Sequence, residues 1–189
     1  MELPADIKKH KWCVSLLNEP GTKVTEIPTS RELFVSERAA GNDARVSNSM
    51  FAKTLYSPDC DAILAQVNFQ RPSAESDAIY QKEYCYLIAV GSGLDGLTGR
   101  AHGGFNALIL DQLTGTISAT TGGTFAPATA RLEMDYSAPV GTPGVVLCRG
   151  WVVESSGRKT WVKGTIEDGQ RKVFAKCKAL FIDPKTGKL

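Results

Sequence analysis

Gly91-Ser92-Gly93-Leu94-Asp95-Gly96-Leu97-Thr98-Gly99-Arg100-Ala101-His102-Gly103-Gly104 runs straight into Phe105-Asn106-Ala107-Leu108-Ile109-Leu110-Asp111-Gln112-Leu113-Thr114-Gly115-Thr116-Ile117-Ser118-Ala119. The first stretch is a glycine-rich loop. The second is mostly apolar over about 15 residues, too long for an ordinary strand, and reads as a buried helix. Strand-like sequence lies on both sides of it. A nearly all-apolar helix flanked by strands must be covered by them, so the expected fold class is α+β, a curved antiparallel sheet wrapped around a long central helix.

Working outward from the helix, Thr129 to Tyr136 alternates apolar and polar residues as a strand with one buried face requires. Gly144 to Glu154 follows a Pro/Gly break, Ser155-Ser156-Gly157-Arg158 turns the chain into Lys159 to Ile166, and Glu167-Asp168-Gly169-Gln170 turns it into Lys172 to Ile182. Val173, Ala175, Cys177, Ala179 and Phe181 share one face of the last strand. Four strands with short turns predict an antiparallel meander. On the other side, Met50–Tyr56 and Ala62–Phe69 flank Ser57-Pro58-Asp59-Cys60-Asp61 and predict a hairpin that ends at Arg71-Pro72. Glu83 to Val90 is a further strand.

The N-terminal part has a different grammar. Ile7, Trp12, Val14, Leu16 and Leu17, with Pro20-Gly21 as a stop, predict a short amphipathic helix over 4–19. The stretch to about Ala44 is rich in Pro, Ser, Thr and charge and reads as a surface excursion with a helical turn at 30–38. The expected organisation is an N-terminal helix and surface segment over 1–47, packed on a single domain over 48–189.

Composition narrows the function. The chain has 189 residues, enough for one domain with a core, and its 22 Lys+Arg against 20 Asp+Glu argue against a dedicated nucleic-acid binder. No apolar run approaches the ~18–20 residues of a membrane span. The first residues lack the apolar stretch of a secretory signal, so the expected location is cytoplasmic, with the mitochondrion as the alternative. Cys13, Cys60, Cys85, Cys148 and Cys177 are scattered without a C-x-x-C pair and read as buried reduced thiols. With His10 and His102 the only histidines, no metal centre is expected.

Asp111 is the anomaly of the helix. A carboxylate among Leu108, Ile109, Leu110 and Leu113 is costly unless it is paired, hydrogen-bonded or used. The helix start supplies a second clue. Gly103 and Gly104 follow His102, so their N–H groups are first-turn donors at the positive helix end, suited to an oxyanion. A phosphate loop is excluded, because no Gly-Lys-Ser/Thr is present and the βαβ context is missing. Eight residues separate Gly103 from Asp111, about 12 Å at 1.5 Å per residue, so both cannot reach one carbonyl within one chain. Two central helices lying antiparallel across a two-fold axis would bring Gly103 of one copy to Asp111 of the other, which predicts a homodimer.

Gly96-x-x-Gly99-Arg100-Ala101-His102-Gly103-Gly104, followed by Leu110-Asp111 and Gly115, resembles the hotdog-fold thioesterases over roughly residues 48–184. The PaaI-like and thioesterase-superfamily-member acyl-CoA hydrolases, especially fungal versions, are the most similar branch. The resemblance implies hydrolysis of an acyl thioester of coenzyme A, or of an acyl carrier protein, with no cofactor beyond the coenzyme A of the substrate. It implies that the Gly103 amide polarises the carbonyl and that Asp111 acts as general base or as nucleophile. His102 would shape the loop. Gly96 stands where several relatives have a polar loop residue, leaving Asp95 and Thr114 as nearby polar substitutes, with Thr114 one turn beyond Asp111. Arg149, Arg158, Lys159, Lys163, Lys172, Lys176 and Lys178 could meet coenzyme A phosphates, although a charged solvent face explains most of them. The partners expected are the acyl thioester and a second copy of the chain, with a tetramer possible and no nucleic acid. A hotdog dehydratase or other modifier of a polyketide intermediate, and a non-catalytic acyl-binding protein, are the rival readings.

Overall fold

The computed structural model describes residues 3–26, 50–123 and 127–184. The described residues form a seven-stranded antiparallel sheet in the order β1-β2-β3-β7-β8-β9-β6. The strands are β1 (Lys23–Glu26), β2 (Ile63–Pro72), β3 (Lys82–Val90), β6 (Ala128–Tyr136), β7 (Gly144–Ser156), β8 (Lys159–Glu167) and β9 (Val173–Ile182). A small hairpin of β4 (Asp95–Leu97) and β5 (Arg100–Ala101) stands apart. The meander expected of the last four strands is a meander of three. β7, β8 and β9 follow one another, but β6 pairs with β9, from Ala128 opposite Ile182 to Tyr136 opposite Ala175, and forms the sheet edge.

The glycine-rich loop leads into α3 (Gly103–Gly122), the central helix, which crosses the inner face of the sheet. Gly123, in the left-handed region at φ 66°, closes it by donating its N–H to the Ala119 carbonyl. Phe105, Ile109, Leu110, Leu113 and Ile117 are buried against the sheet at helical spacing. Gly150 and Gly164, directly opposed on β7 and β8, let the helix approach. A Cβ at Gly150 would lie 2.7 Å from the Ile117 side chain, and one at Gly164 3.2 Å from that of Leu110. The helix is not enclosed all round. Ala107, Leu108, Asp111, Gly115 and Ala119 are only partly buried and Gly104 is exposed, so one stripe of α3 has no covering element among the described residues.

Three expectations for the first third need correction. The predicted helix over 4–19 is two short helices, α1 (Ala5–Lys8) and α2 (Lys11–Leu17), divided where His10 becomes extended at φ −96° and ψ 106°. Residues 23–26, expected in a surface excursion, pair with β2 as β1. The turn expected at 30–38 lies outside the described residues, as does the 47/48 boundary. Phe51–Leu55 is a single π-helical turn, so there is no hairpin with β2. The apolar spacing accounts for this: Phe51, Leu55 and Tyr56 all reach the core from one side, which alternating strand geometry cannot do.

α1 and α2 pack on the outer face, where Ile7 and Cys13 join Val67, Phe69, Cys85 and Leu87 in a second core. Beside it lies a buried ionic cluster. Glu83, only 2% exposed, accepts from Arg71 Nε at 2.6 Å and from Arg149 at 3.1 Å. Arg149 also pairs with Glu75 at 2.7 Å and with Glu167.

Candidate active site

The start of α3 is built by His102. Its backbone is extended (φ −62°, ψ 140°), and its Nδ1 accepts the Gly104 N–H at 2.9 Å, which places the ring proton on Nε2. The His102 carbonyl accepts the Phe105 N–H at 2.9 Å. The two glycine amides are therefore not equivalent, contrary to the sequence expectation. The Gly104 N–H is occupied by the cap, while that of Gly103 has no hydrogen-bond partner among the described residues. Gly103 lines a cleft of about 550 Å³ with Arg100, His102, Asn106 and Tyr136 among others. The Tyr136 hydroxyl donates to the Gly103 carbonyl at 3.2 Å from across the cleft. Gly96 lies against the His102 ring: a Cβ there would come within 2.8 Å of Cδ2, so a side chain at this loop position has no room.

Asp111 lies two turns along the helix, half-buried, in a separate cleft of about 400 Å³ with Gly115, Pro127, Thr129 and Phe181. Its Oδ1 accepts the Thr129 hydroxyl at 3.0 Å, and Oδ2 has no partner among the described residues. The carboxylate faces the inner side of the sheet closely enough to be felt there. Burial pushes the Cys177 thiol up to about 12, the Gly164 amide opposes this, and the Asp111 charge adds to the rise. The two clefts share no lining residue.

Other expected residues are not brought in. Thr114 is fully buried against the sheet, and its hydroxyl donates to the Leu110 carbonyl at 2.6 Å, so it reaches neither cleft. Asp95 is spent on the loop, accepting from the Gly99 N–H at 2.7 Å and from the Thr142 hydroxyl. Arg149 is committed to the three carboxylates of the outer face and is unavailable for a phosphate. Lys163 pairs with Asp77 at 2.6 Å, and Lys178 stands 4.7 Å from the centre of the Trp161 ring. Trp151 is buried in the sheet, with its indole N–H donated to Asp77 at 2.8 Å. Sequence reasoning missed Asn106 and Tyr136. A polar residue in an apolar helix marks Asn106 as it marked Asp111, whereas nothing local distinguishes Tyr136 from an ordinary edge-strand tyrosine.

Residues 98–175, which include both clefts' helix residues, match the family described as Thioesterase superfamily. Acyl-coenzyme A thioesterase THEM4 of Mus musculus is 32% identical over 108 residues, 56% of this chain and 46% of that protein. The Rattus norvegicus protein of the same name is 32% identical over 103 residues, 54% of this chain and 44% of its own length. The chain thus spans about half the length of the curated relatives it matches. Among solved structures, a thioesterase superfamily protein superposes with a TM-score of 0.51 at 26% identity, covering 62% of this chain and 55% of that one. A Streptococcus mutans protein bound to acetyl CoA superposes with a TM-score of 0.50 at 22% identity, covering 54% and 81%. The sheet with its central helix is the hotdog fold shared by these proteins.

Proposed function

We propose that this chain, whose residues 98–175 form a thioesterase-superfamily domain on a hotdog fold, hydrolyses acyl-coenzyme A thioesters to free acid and thiol. The observation that carries the proposal is the unpartnered Gly103 N–H at the start of a 20-residue helix that also bears the half-buried Asp111. The N–H and the helix dipole would hold the thioester carbonyl and stabilise the oxyanion that forms on attack. Asp111 would take a proton from water as the water oxygen bonds to the carbonyl carbon, or would attack the carbon itself. Direct attack gives, after loss of the thiolate, a mixed anhydride that water then cleaves to the free acid and the restored Asp111 carboxylate. Collapse of the intermediate breaks the C–S bond, and the thiolate leaves and takes up a proton. The names of the mouse and rat relatives support coenzyme A as carrier, and an acyl carrier protein is the alternative.

The separation of about 12 Å along the helix requires two copies. An antiparallel pair of α3 helices would place Gly103 of one copy against Asp111 of the other and form two equivalent sites. The open stripe of α3 supports this arrangement, and so does β6, a nine-residue edge strand with one side unpaired among the described residues. The test is free-thiol release from short, long and aromatic acyl-CoAs. Turnover of at least one is expected, and it should be lost in Asp111→Asn and Asp111→Ala while the dimer and its melting temperature are kept. Undiminished turnover by both variants would overturn the assignment.

A further inference from the structure

Most of the described arginines are spent within the chain. Arg71, Arg131 and Arg149 pair with carboxylates, and Arg158 donates to the Asp183 carbonyl. Arg100 and Arg171 have no side-chain partner among the described residues, and their surroundings are opposite in charge. Arg171 lines the outer-face cavity together with Glu75, Glu83, Glu167 and Asp168. Arg100 lines the helix-start cleft, in whose wall there is no acidic residue. The backbone fixes it there. β5 pairs with β4, Arg100 also bridges to Gly141, and the next residue, Ala101, is buried and donates its N–H to the Val140 carbonyl. Strand alternation turns Ala101 into the core and Arg100 away from it.

The cleft is thus a surface of donors: the Arg100 guanidinium, the Gly103 N–H and the His102 Nε2–H, which has no partner among the described residues. A thioester carbonyl uses the Gly103 N–H. A plain alkyl chain beside it would cover a guanidinium with apolar surface and give it nothing to donate to. A carboxylate on the acyl chain supplies two oxygens, which a guanidinium binds through two parallel N–H groups. The phosphates of coenzyme A fit less well. About thirteen bonds separate the sulfur from the first phosphorus, about 15 Å in an extended arm at roughly 1.2 Å per bond. Arg100 is three residues from Gly103, at most about 11 Å between their α-carbons, and shares its cleft.

We infer that Arg100 is a specificity residue of this cleft, pairing through its guanidinium with a carboxylate on the acyl group, so that the preferred substrates are thioesters of dicarboxylic acids. The inference rests on the function proposed above.

The experiment measures kcat/KM by free-thiol release for two pairs, malonyl-CoA with butyryl-CoA and adipyl-CoA with hexanoyl-CoA. The unsubstituted chain is compared with Arg100→Gln and Arg100→Lys, both at an exposed position where the fold should be kept. In at least one pair the diacid should be preferred, and Arg100→Gln should lower the diacid-to-monoacid ratio roughly 10- to 100-fold. Arg100→Lys keeps the charge but not the parallel donors and should recover part of that ratio. No preference for the diacid in either pair, or a ratio unchanged by Arg100→Gln, overturns the inference. An unchanged ratio with a parallel fall for both members of a pair would place the guanidinium on the phosphates of coenzyme A instead. If the unsubstituted chain hydrolyses none of the four, the Kd of each is measured by calorimetry. Tighter binding of a diacid, lost in Arg100→Gln, then supports the site although the hydrolase reading has failed on these substrates. Equal or absent binding within both pairs overturns it.

Discussion

The two faces of the sheet treat their polar groups in opposite ways. On the outer face Arg71, Arg149, Glu83 and Glu167 are charged and largely buried, yet each is held by partners of opposite charge. Burial acts to lower the Arg149 pKa, but hydrogen bonds to Glu167 and Glu75 and the charges of Glu167 and Glu83 outweigh it and hold the guanidinium above its ordinary value. On the inner face the Gly103 N–H, Asn106 Oδ1 and Asp111 Oδ2 have no partners among the described residues. Buried charge by itself therefore does not mark the site. The mark is hydrogen-bonding capacity left unused beside a cleft, since the Ser118 Oγ is also buried and unpartnered yet lines neither cleft.

The strongest way to break this contrast is to remove the unused donor. Gly103→Pro deletes one N–H at the first helical position, where proline is tolerated, and His102 already has the extended backbone that a following proline requires. Hydrolysis should fall by roughly 10²- to 10³-fold with the melting temperature nearly unchanged; thiol-release assays and calorimetry read the two separately. The converse is expected of Glu83→Leu on the outer face. Arg71 keeps Glu19 and Arg149 keeps Glu75 and Glu167, so losing the shared buried carboxylate should cost about 2–3 kcal/mol of stability, measured by urea unfolding, while kcat/KM of the remaining folded protein is unaltered. A smaller effect follows from His102→Ala, which removes the cap on Gly104 and should cost about 1 kcal/mol, again by denaturant titration.

The smallest effect concerns the thiols, where burial treats both faces alike. Cys13 on the outer face and Cys177 on the inner face are both pushed up to about 12 by burial, and Cys85 and Cys148 are also raised. A disulfide reagent at pH 8 should label Cys60, which is half-buried, in the native protein and the other four only after unfolding. Rapid native labelling of Cys148 or Cys177 would show that the inner face opens to solvent in the native protein.

The legibility of these features in the sequence followed how local their causes are. The central helix was readable from Phe105 to Ala119 because its composition alone calls for burial, and β7 to β9 because their turns are short and marked by glycine. The place of β6 was not readable: its partner β9 lies far along the chain, beyond β7 and β8, and no local turn marks the pairing. Met50–Tyr56 was misread because a short apolar run suits a strand as well as a helical turn. Arg149 stood only among the basic residues that could meet a phosphate or a solvent face, and its buried ion pairs were not legible because Glu75, Glu83 and Glu167 come from distant segments. In the site, Gly103 and Asp111 stood out by residue type, but only the three-dimensional cap separates Gly103 from Gly104.

The central claim, that one active site draws on two copies of the chain, is tested most directly by complementation. Gly103→Pro and Asp111→Asn chains, each inactive alone, are unfolded together in equal amounts, refolded and assayed for thiol release. If the site is shared, half of the dimers are mixed and each mixed dimer holds one intact site, so activity should return to about a quarter of the unsubstituted level. No recovery, with mixed dimers demonstrated by mass spectrometry, would contradict the account.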